Sequence, residues 1–255
     1  MFENFNSNLS SAAVKKAQFL KESPLRYILA SMYAGIFIGL GILLTSKIGA
    51  GAEGIWVSIT CGLSFSVSLS FVIFTGVELF TGNNAVMAFG LFNGRTGARD
   101  MVKVWIYSYV GNLIGALLLS ALFVESGLGT DAVTACVART AEAKVGAGFM
   151  PLLCRGILCN FMVCLAVMIC SNLKNEVSKF FIIIMCIYPF VTTGYEHCVA
   201  NMTTFGVGLI SSKIDLTVGQ VAANLVPVTI GNIIGGALAL AGGFYLLNNN
   251  EKRDL

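Results

Sequence analysis

The stretch G-V-E-L-F-T-G-N, from Gly76 to Asn83, has a counterpart later in the chain in G-Y-E-H-C-V-A-N, from Gly194 to Asn201. Each stretch opens with glycine, has glutamate at its third position and closes with asparagine. Both lie within long apolar segments, where a carboxyl group is costly unless it is paired or hydrogen-bonded. We therefore expect each stretch to interrupt a membrane-spanning helix and to turn its polar groups into the protein.

Two further matches flank this one in the same order along the chain. Ala34-Gly35-Ile36 matches Arg155-Gly156-Ile157, and G-N-L-I-G at 111–115 matches G-N-I-I-G at 231–235. Matches at one roughly constant offset indicate an internal repeat. Each repeat holds three spans, an odd number, so the second must enter the membrane in the opposite orientation. Such inverted repeats are typical of channels and transporters.

The composition indicates a membrane protein. Of the 255 residues, 56% are hydrophobic and only 11% are charged, and the mean hydropathy is +0.81. Apolar runs long enough to cross a bilayer fill the chain. The predicted spans are roughly 25–46, 56–92 with an interruption, 102–124, 148–171, 180–211 with an interruption, and 217–247. A soluble domain is excluded, and one six-helix bundle accounts for the chain.

The predicted organisation has three parts. Residues 1–24 form an amphipathic segment on the inner surface, residues 25–247 the six-helix channel domain, and residues 248–255 a tail. Basic residues mark the inner side of a membrane protein. They concentrate on one side of the predicted spans, at Lys15, Lys16, Lys21, Arg26, Arg95, Arg99, Lys103, Lys174, Lys179, Lys252 and Arg253, against Lys47, Arg139, Lys144 and Lys213 on the other. Both termini are therefore expected to be cytoplasmic, and the net charge of +3 does not indicate nucleic-acid binding.

The cysteines and the single histidine argue against an enzyme. Seven of the eight cysteines lie in predicted spans, and only Cys136 falls in a predicted outer loop. Those near helix 4 lack C-x-x-C spacing, so free packing residues are expected rather than disulfides. A lone histidine supplies neither a nucleophile–base pair nor a metal cluster. We predict no catalytic residues, no metal and no cofactor.

His197 and the two glutamates are the first candidates for a site. His197 lies inside the second interruption, and imidazole changes charge near neutral pH; the alternative is an ordinary hydrogen bond between helices. For Glu78 and Glu196 we favour structural roles, as acceptors for backbone N–H groups that the interruptions free. Asparagines near the interruptions can bridge the broken backbone or orient the imidazole, namely Asn83, Asn160 and Asn201.

Lys144 lies just before the fourth predicted span, residues 148–171, on the predicted outer side. It is either an ordinary interfacial lysine or a positive charge that attracts anions to a pore mouth. Arg155 lies further along the chain and is left without a role. Large apolar residues flank the interruptions and either pack in the core or form constrictions that exclude hydrated ions, namely Phe65, Leu69, Leu79, Phe80 and Phe190.

Four of these features together resemble one known family. The motif E-L-F-T-G-N at 78–83, Lys144, L-C-N-F at 158–161 and Y-E-H-C-V-A-N-M at 195–202 are similar to those of the formate/nitrite transporter family, over essentially all six helices. The sequence looks most like the hydrosulfide branch. The resemblance implies an all-α, aquaporin-like six-helix bundle of two inverted three-helix repeats with broken helices 2 and 5, assembled as a homopentamer in the lipid bilayer, with one pore per protomer.

The resemblance also implies roles for residues. It makes His197 the pore centre, with Thr81 opposite and Asn160 and Asn201 nearby. Phe65 and Phe190 would form the outer constriction; Leu69, Leu79 and Phe80 the inner one; and Lys144 would attract anions in the outer vestibule. The implied substrates are small weak-acid anions, above all hydrosulfide, with formate and nitrite as alternatives, passing by proton sharing at His197. A proton-coupled transporter is the nearest rival, and a bacterial inner membrane the implied location.

Overall fold

The computed structural model describes residues 2–52, 54–211 and 215–251, and every regular element in them is helical. The helices are α1 Phe2–Glu22, α2 Pro24–Gly51, α3 Ile55–Thr75, α4 Phe80–Phe92, α5 Ala98–Glu125, α6 Asp131–Val145, α7 Phe149–Asn172, α8 Glu176–Thr192, α9 Cys198–Ser211, α10 Val218–Ile233, a π-helical segment Ile234–Gly242, and α11 Gly243–Glu251. The all-α membrane fold is confirmed.

Five of the helical segments are long and apolar enough to cross a membrane by themselves, namely Pro24–Gly51, Ile55–Thr75, Ala98–Glu125, Phe149–Asn172 and Val218–Asn248. The remaining crossing combines α8 with the short apolar helix α9. The helix is interrupted between α3 and α4 and again between α8 and α9, as predicted. Gly76 and Gly194 stand at these breaks with φ of 70° and 77°, a left-handed conformation that favours glycine.

The repeat is present, but the predicted register of its first helices is wrong by one turn. Gly115 of α5 lies against the backbone carbonyl of Met32, and Gly235 lies against that of Ile157. Met32 therefore corresponds to Ile157, which pairs Gly156 with Ser31 rather than with Gly35. Residues four apart share one face of a helix. A match between small residues therefore looks equally good when one helix is shifted by one turn along the other sequence.

The N-terminal segment is helical as predicted but does not lie free on a surface. α1 packs against α4 and α7, and it buries Leu9, Ala13 and Leu20. The Ser10 hydroxyl donates to the carbonyl of Phe89 at 3.1 Å. The apolar face of this amphipathic helix is thus covered by protein, which brings its polar residues close to the first break.

The predicted outer loop contains a helix that the sequence analysis missed. α6 buries Val133, Val137 and Ala141, which are spaced four residues apart and form one helical face. Cys136 lies on this helix rather than in a loop. All eight cysteines are free. The spacing of the buried residues was the available signal for the helix.

At the C-terminal end the helix continues past the predicted boundary at residue 247, because α11 extends to Glu251. The rest of the predicted tail, including Lys252 and Arg253, lies outside the described residues. So does Lys213, which was assigned to the outer side.

Candidate functional site

The backbone freed at the first break is held by Asn112 of α5. Its side-chain oxygen accepts the N–H of Phe80, the first residue of α4, at 2.9 Å. Its amide nitrogen donates to the carbonyls of Ser31 at 2.7 Å and Glu78 at 3.0 Å. One fully buried side chain therefore satisfies both sides of the interruption.

Asn232 of α10 repeats this arrangement at the second break. Its oxygen accepts the N–H of Cys198 at 2.9 Å, and its nitrogen donates to the carbonyls of Gly156 at 2.8 Å and Glu196 at 2.9 Å. The glutamates were predicted to accept these freed N–H groups, and that prediction is wrong. The G-N-x-I-G match already contained both asparagines, but asparagine in a helix gives no sign of which backbone it will contact.

The two glutamates instead hold charged and amide side chains. Glu78 accepts from Lys16 at 2.8 Å, from Tyr27 at 2.7 Å and from Asn83 at 2.9 Å. Since the carboxylate is buried, these donors supply the stabilisation that a charge inside a membrane protein needs. Lys16 is a partner that the sequence analysis missed, because it belongs to α1.

Glu196 is held in the same way by Lys144, whose ammonium lies 3.0 and 2.9 Å from the two carboxylate oxygens. Asn201 donates to Glu196 at 2.6 Å and to the side-chain oxygen of Asn224 at 2.9 Å. Asn224 in turn donates to the carbonyl of Lys144 at 2.9 Å. The Lys144 charge is thus neutralised by a buried carboxylate, which reduces its ability to attract anions over a distance.

His197 and Thr81, which the resemblance placed opposite each other, are hydrogen-bonded side chains. The imidazole Nε2 lies 3.0 Å from the Thr81 hydroxyl, and the backbone N–H of Ala200 donates to Nδ1 at 3.1 Å. An N–H donor facing Nδ1 requires a lone pair there, so the proton of a neutral ring is assigned to Nε2. Nε2 then donates to Thr81, whose own O–H has no other hydrogen-bond partner among the residues that the structure describes.

Asn160 lies on the other side of Thr81. Its amide nitrogen donates to the Thr81 carbonyl at 3.2 Å, to the Asn84 side chain at 2.9 Å and to the Asn232 carbonyl at 2.6 Å. It therefore positions Thr81 through the backbone, and none of these hydrogen bonds goes to the imidazole. Asn201 likewise belongs to the Glu196 network rather than to the His197–Thr81 pair.

A cavity of about 490 Å³, called here the Lys144 cavity, reaches the imidazole of His197. Lys144, Phe65, Phe190 and His197 all line it. The Phe65 and Phe190 rings pack edge to face with centroids 5.9 Å apart, and Phe190 stacks on His197 at 6.3 Å. The two phenylalanines are buried, so the structure brings the residues of the predicted outer constriction together beside the imidazole.

A second cavity of about 290 Å³, called here the Lys16 cavity, is lined by Lys16, Leu79, Val72 and Gly76. Both cavities border α3, which reaches the Lys144 cavity at Phe65 and the Lys16 cavity at Val72. The rise of a helix separates those residues by roughly 10 Å. Leu69 lies between them on α3 and is buried.

The predicted inner constriction is therefore assembled in part. Leu79 lines the Lys16 cavity, and Leu69 separates the two cavities along α3. The Phe80 ring packs edge to face on Tyr109 of α5, with centroids 5.0 Å apart, and it is not among the residues that line either cavity.

Comparison with known proteins agrees with this architecture. The family model described as "Formate/nitrite transporter" matches residues 3–246. An uncharacterized transporter of Bacillus subtilis (strain 168), YwcJ, is 34% identical, with 94% of this chain and 95% of the relative covered. The nitrite transporter NirC of Escherichia coli (strain K12) is 31% identical, with 99% and 95% covered.

Two solved structures have the same fold. One, described as an FNT family ion channel, superposes with a TM-score of 0.91 at 30% identity and covers 97% of this chain and 99% of its own. The other is described as a pentameric formate channel with formate bound. It superposes with a TM-score of 0.78 at 26% identity and covers 89% of this chain and 98% of its own.

Proposed function

Because the chain belongs to the formate/nitrite transporter family, we propose that it forms a membrane channel for small monovalent anions of weak acids. Hydrosulfide is the proposed principal substrate, and formate and nitrite are the alternatives. The observation that carries the proposal is the His197–Thr81 pair, a hydrogen-bond donor that lies beside the apolar rings of Phe65 and Phe190.

The apolar residues explain why the substrate is a weak-acid anion. A bare anion that leaves water for a ring of phenylalanine and leucine side chains loses its hydration at a large cost in free energy. An anion of a weak acid lowers this cost when it shares a proton. Chloride, the anion of a strong acid, has no such route.

The pair at the centre can provide that proton sharing. With Nε2–H directed to the Thr81 oxygen, the Thr81 O–H is free to donate to an arriving anion. A hydrogen bond to a charged acceptor is roughly twice as strong as one between neutral groups. As the Thr81 proton shifts toward the anion, the Nε2–H of His197 donates to the threonine oxygen. The two side chains therefore act together.

Among the candidate anions, hydrosulfide needs the least driving force to take a proton near neutral pH. The printed names of relatives favour the alternatives, since NirC is a nitrite transporter and a structural neighbour is a formate channel. We propose an assembly of five copies because that neighbour is pentameric. The Lys144 cavity is proposed to face outward, with both termini in the cytoplasm of a bacterium, on the distribution of basic residues.

The proposal is tested with the purified full-length protein in liposomes. Uptake of hydrosulfide, formate, nitrite, acetate and chloride is measured under matched gradients, together with the internal pH. We expect rapid proton-linked uptake of the weak-acid anions, hydrosulfide fastest, and little uptake of chloride. Equal permeability to chloride and formate would refute proton sharing. A current that reverses with the anion gradient alone would identify a channel rather than a proton-coupled transporter.

A further inference from the structure

The Lys144 cavity contains two cations that form no ion pair with any acidic side chain that the structure describes. Arg139 of α6 and Arg155 of α7 both line it, and both residues are exposed. In the described ranges the ion pairs are Lys16 with Glu78 and Lys144 with Glu196, so neither arginine takes part in one. The three cations and one carboxylate around this cavity therefore leave two net positive charges.

The repeat architecture does not require the Arg155 side chain. In the corrected register, Arg155 corresponds to Ala30, and the carbonyls of both residues accept the N–H of the glutamate at the nearby break, at 3.3 and 3.4 Å. The scaffold therefore uses only the backbone at this position. Among the described residues that line the Lys16 cavity, Lys179 is the one unpaired cation. The Lys144 cavity therefore carries one more unpaired cation than the Lys16 cavity.

We propose that Arg139 and Arg155 form an anion-binding antechamber in the Lys144 cavity, which collects anions by their charge before the pore selects among them. This inference rests on the proposed function and refines it. Paired Lys144 then has a mainly structural role. Guanidinium groups offer forked donors that match oxyanions, so the antechamber accepts divalent oxyanions such as sulfate as well as monovalent substrates. Sulfate carries two charges and does not pass the apolar constriction, so it competes with the substrate.

The valence of the anion distinguishes attraction by charge from a change of shape. Removing a unit charge about 6 Å from an anion in water lowers the local concentration of a monovalent anion about threefold. The electrostatic energy of a divalent anion is twice as large, so its local concentration falls about ninefold. A structural disturbance would have no reason to follow this squared relation.

The first measurement is direct binding of labelled sulfate to the purified full-length protein at low ionic strength. We expect Arg139→Gln and Arg155→Gln each to weaken binding about ninefold, and Arg155→Lys to keep most of it. Lys47→Gln is the matched control: Lys47 is an exposed base near the end of α2 that approaches α6, but it does not line the cavity. Sulfate binding by the two glutamine variants equal to that of Lys47→Gln would overturn the proposal.

The second measurement is isotopic exchange of formate at equal concentrations on both sides of liposomes, which is insensitive to the orientation of the protein. Each glutamine variant should raise the half-saturating formate concentration about threefold and the half-inhibiting sulfate concentration about ninefold. Both differences should shrink at high salt. Equal fold-changes in the formate and sulfate concentrations would overturn the proposed antechamber. Arginine-dependent sulfate binding by a protein that exchanges no weak-acid anion would instead refute the proposed function and leave the binding site standing.

Discussion

At the first break, Asn112 accepts the freed N–H of α4 and Glu78 binds a lysine. At the second break, Asn232 and Glu196 make the same contacts with α9 and Lys144. The difference lies in the residue that follows each glutamate. It is Leu79 in the first half and His197 in the second. The comparison teaches that the repeat preserves the scaffold of both breaks, whereas the chemistry depends on residues that the repeat does not share.

The largest expected effect tests whether the two scaffolds are equivalent. Glu78→Gln and Glu196→Gln each leave a mostly buried lysine without its counter-charge. Each should destabilise the protein by about 3 kcal/mol, at the low end for a broken buried pair because both lysines keep some exposure. Thermal unfolding in detergent measures the loss, and Glu142→Gln on the exposed surface of α6 is the control. A large loss in one half alone would break the comparison.

The second test concerns the position where the halves differ. His197→Asn keeps a polar side chain but removes the titratable ring. Proton-linked uptake should fall about 100-fold, at the low end for a positioned proton-transfer group, and chloride should begin to pass. Leu79→Met, at the equivalent position, should keep the proton linkage. The internal pH during formate uptake is the readout. Unaltered proton linkage in His197→Asn would show that the imidazole contributes only its size and polarity.

Two close helix contacts give a smaller, symmetric effect. A methyl group added at Gly115 would meet the carbonyl of Met32, and one added at Gly235 would meet that of Ile157. Backbone moves less readily than a side chain, so each Gly→Ala change should cost about 2 kcal/mol. Gly243→Ala, where nothing lies within 4 Å, is the control. Unequal losses of stability would show that the two crossings are not equivalent.

The smallest effect sharpens the comparison at Thr81, whose counterpart in the second break is Val199. Thr81→Val keeps the shape, removes the hydroxyl that is proposed to donate to the anion and makes the two halves alike at this position. Loss of a hydrogen bond to a charged group, about 1.5 kcal/mol, predicts a rate of formate uptake about 13-fold lower with an intact oligomer. Thr81→Ser should restore the rate. Loss of the oligomer on gel filtration would instead assign Thr81 a structural role.

Much of the fold could be predicted from the sequence because its signals are local or periodic. Apolar length defines the spans, and Gly76 and Gly194 mark the breaks, where the backbone needs a left-handed conformation. The spacing of Val133, Val137 and Ala141 could also have indicated α6. The sequence could not fix which residue of α2 corresponds to which residue of α7 in the repeat. A shift of one turn keeps small residues on the same helix face, so both alignments match.

The site could be predicted only where its residues carry their own chemistry. His197 is recognisable because it is the only histidine and lies in a break. The partners of Glu78 could not be foreseen, since Lys16 approaches it only when α1 packs against α4, and Tyr27 reaches it from α2. The pairing of Lys144 with Glu196, 52 residues away, likewise follows from how α6 packs against α9.

The hydrogen bond from Ala200 to His197 also bears on how transport depends on temperature. Because the imidazole is anchored at Nδ1 and directed at Thr81 through Nε2, an arriving anion meets a donor that is already oriented. The two side chains do not have to reorient for this contact to form. The enthalpy of activation should then arise mainly from dehydration of the anion, and transport should slow only gently on cooling. A carrier that must rearrange its helices in every cycle would slow much more steeply.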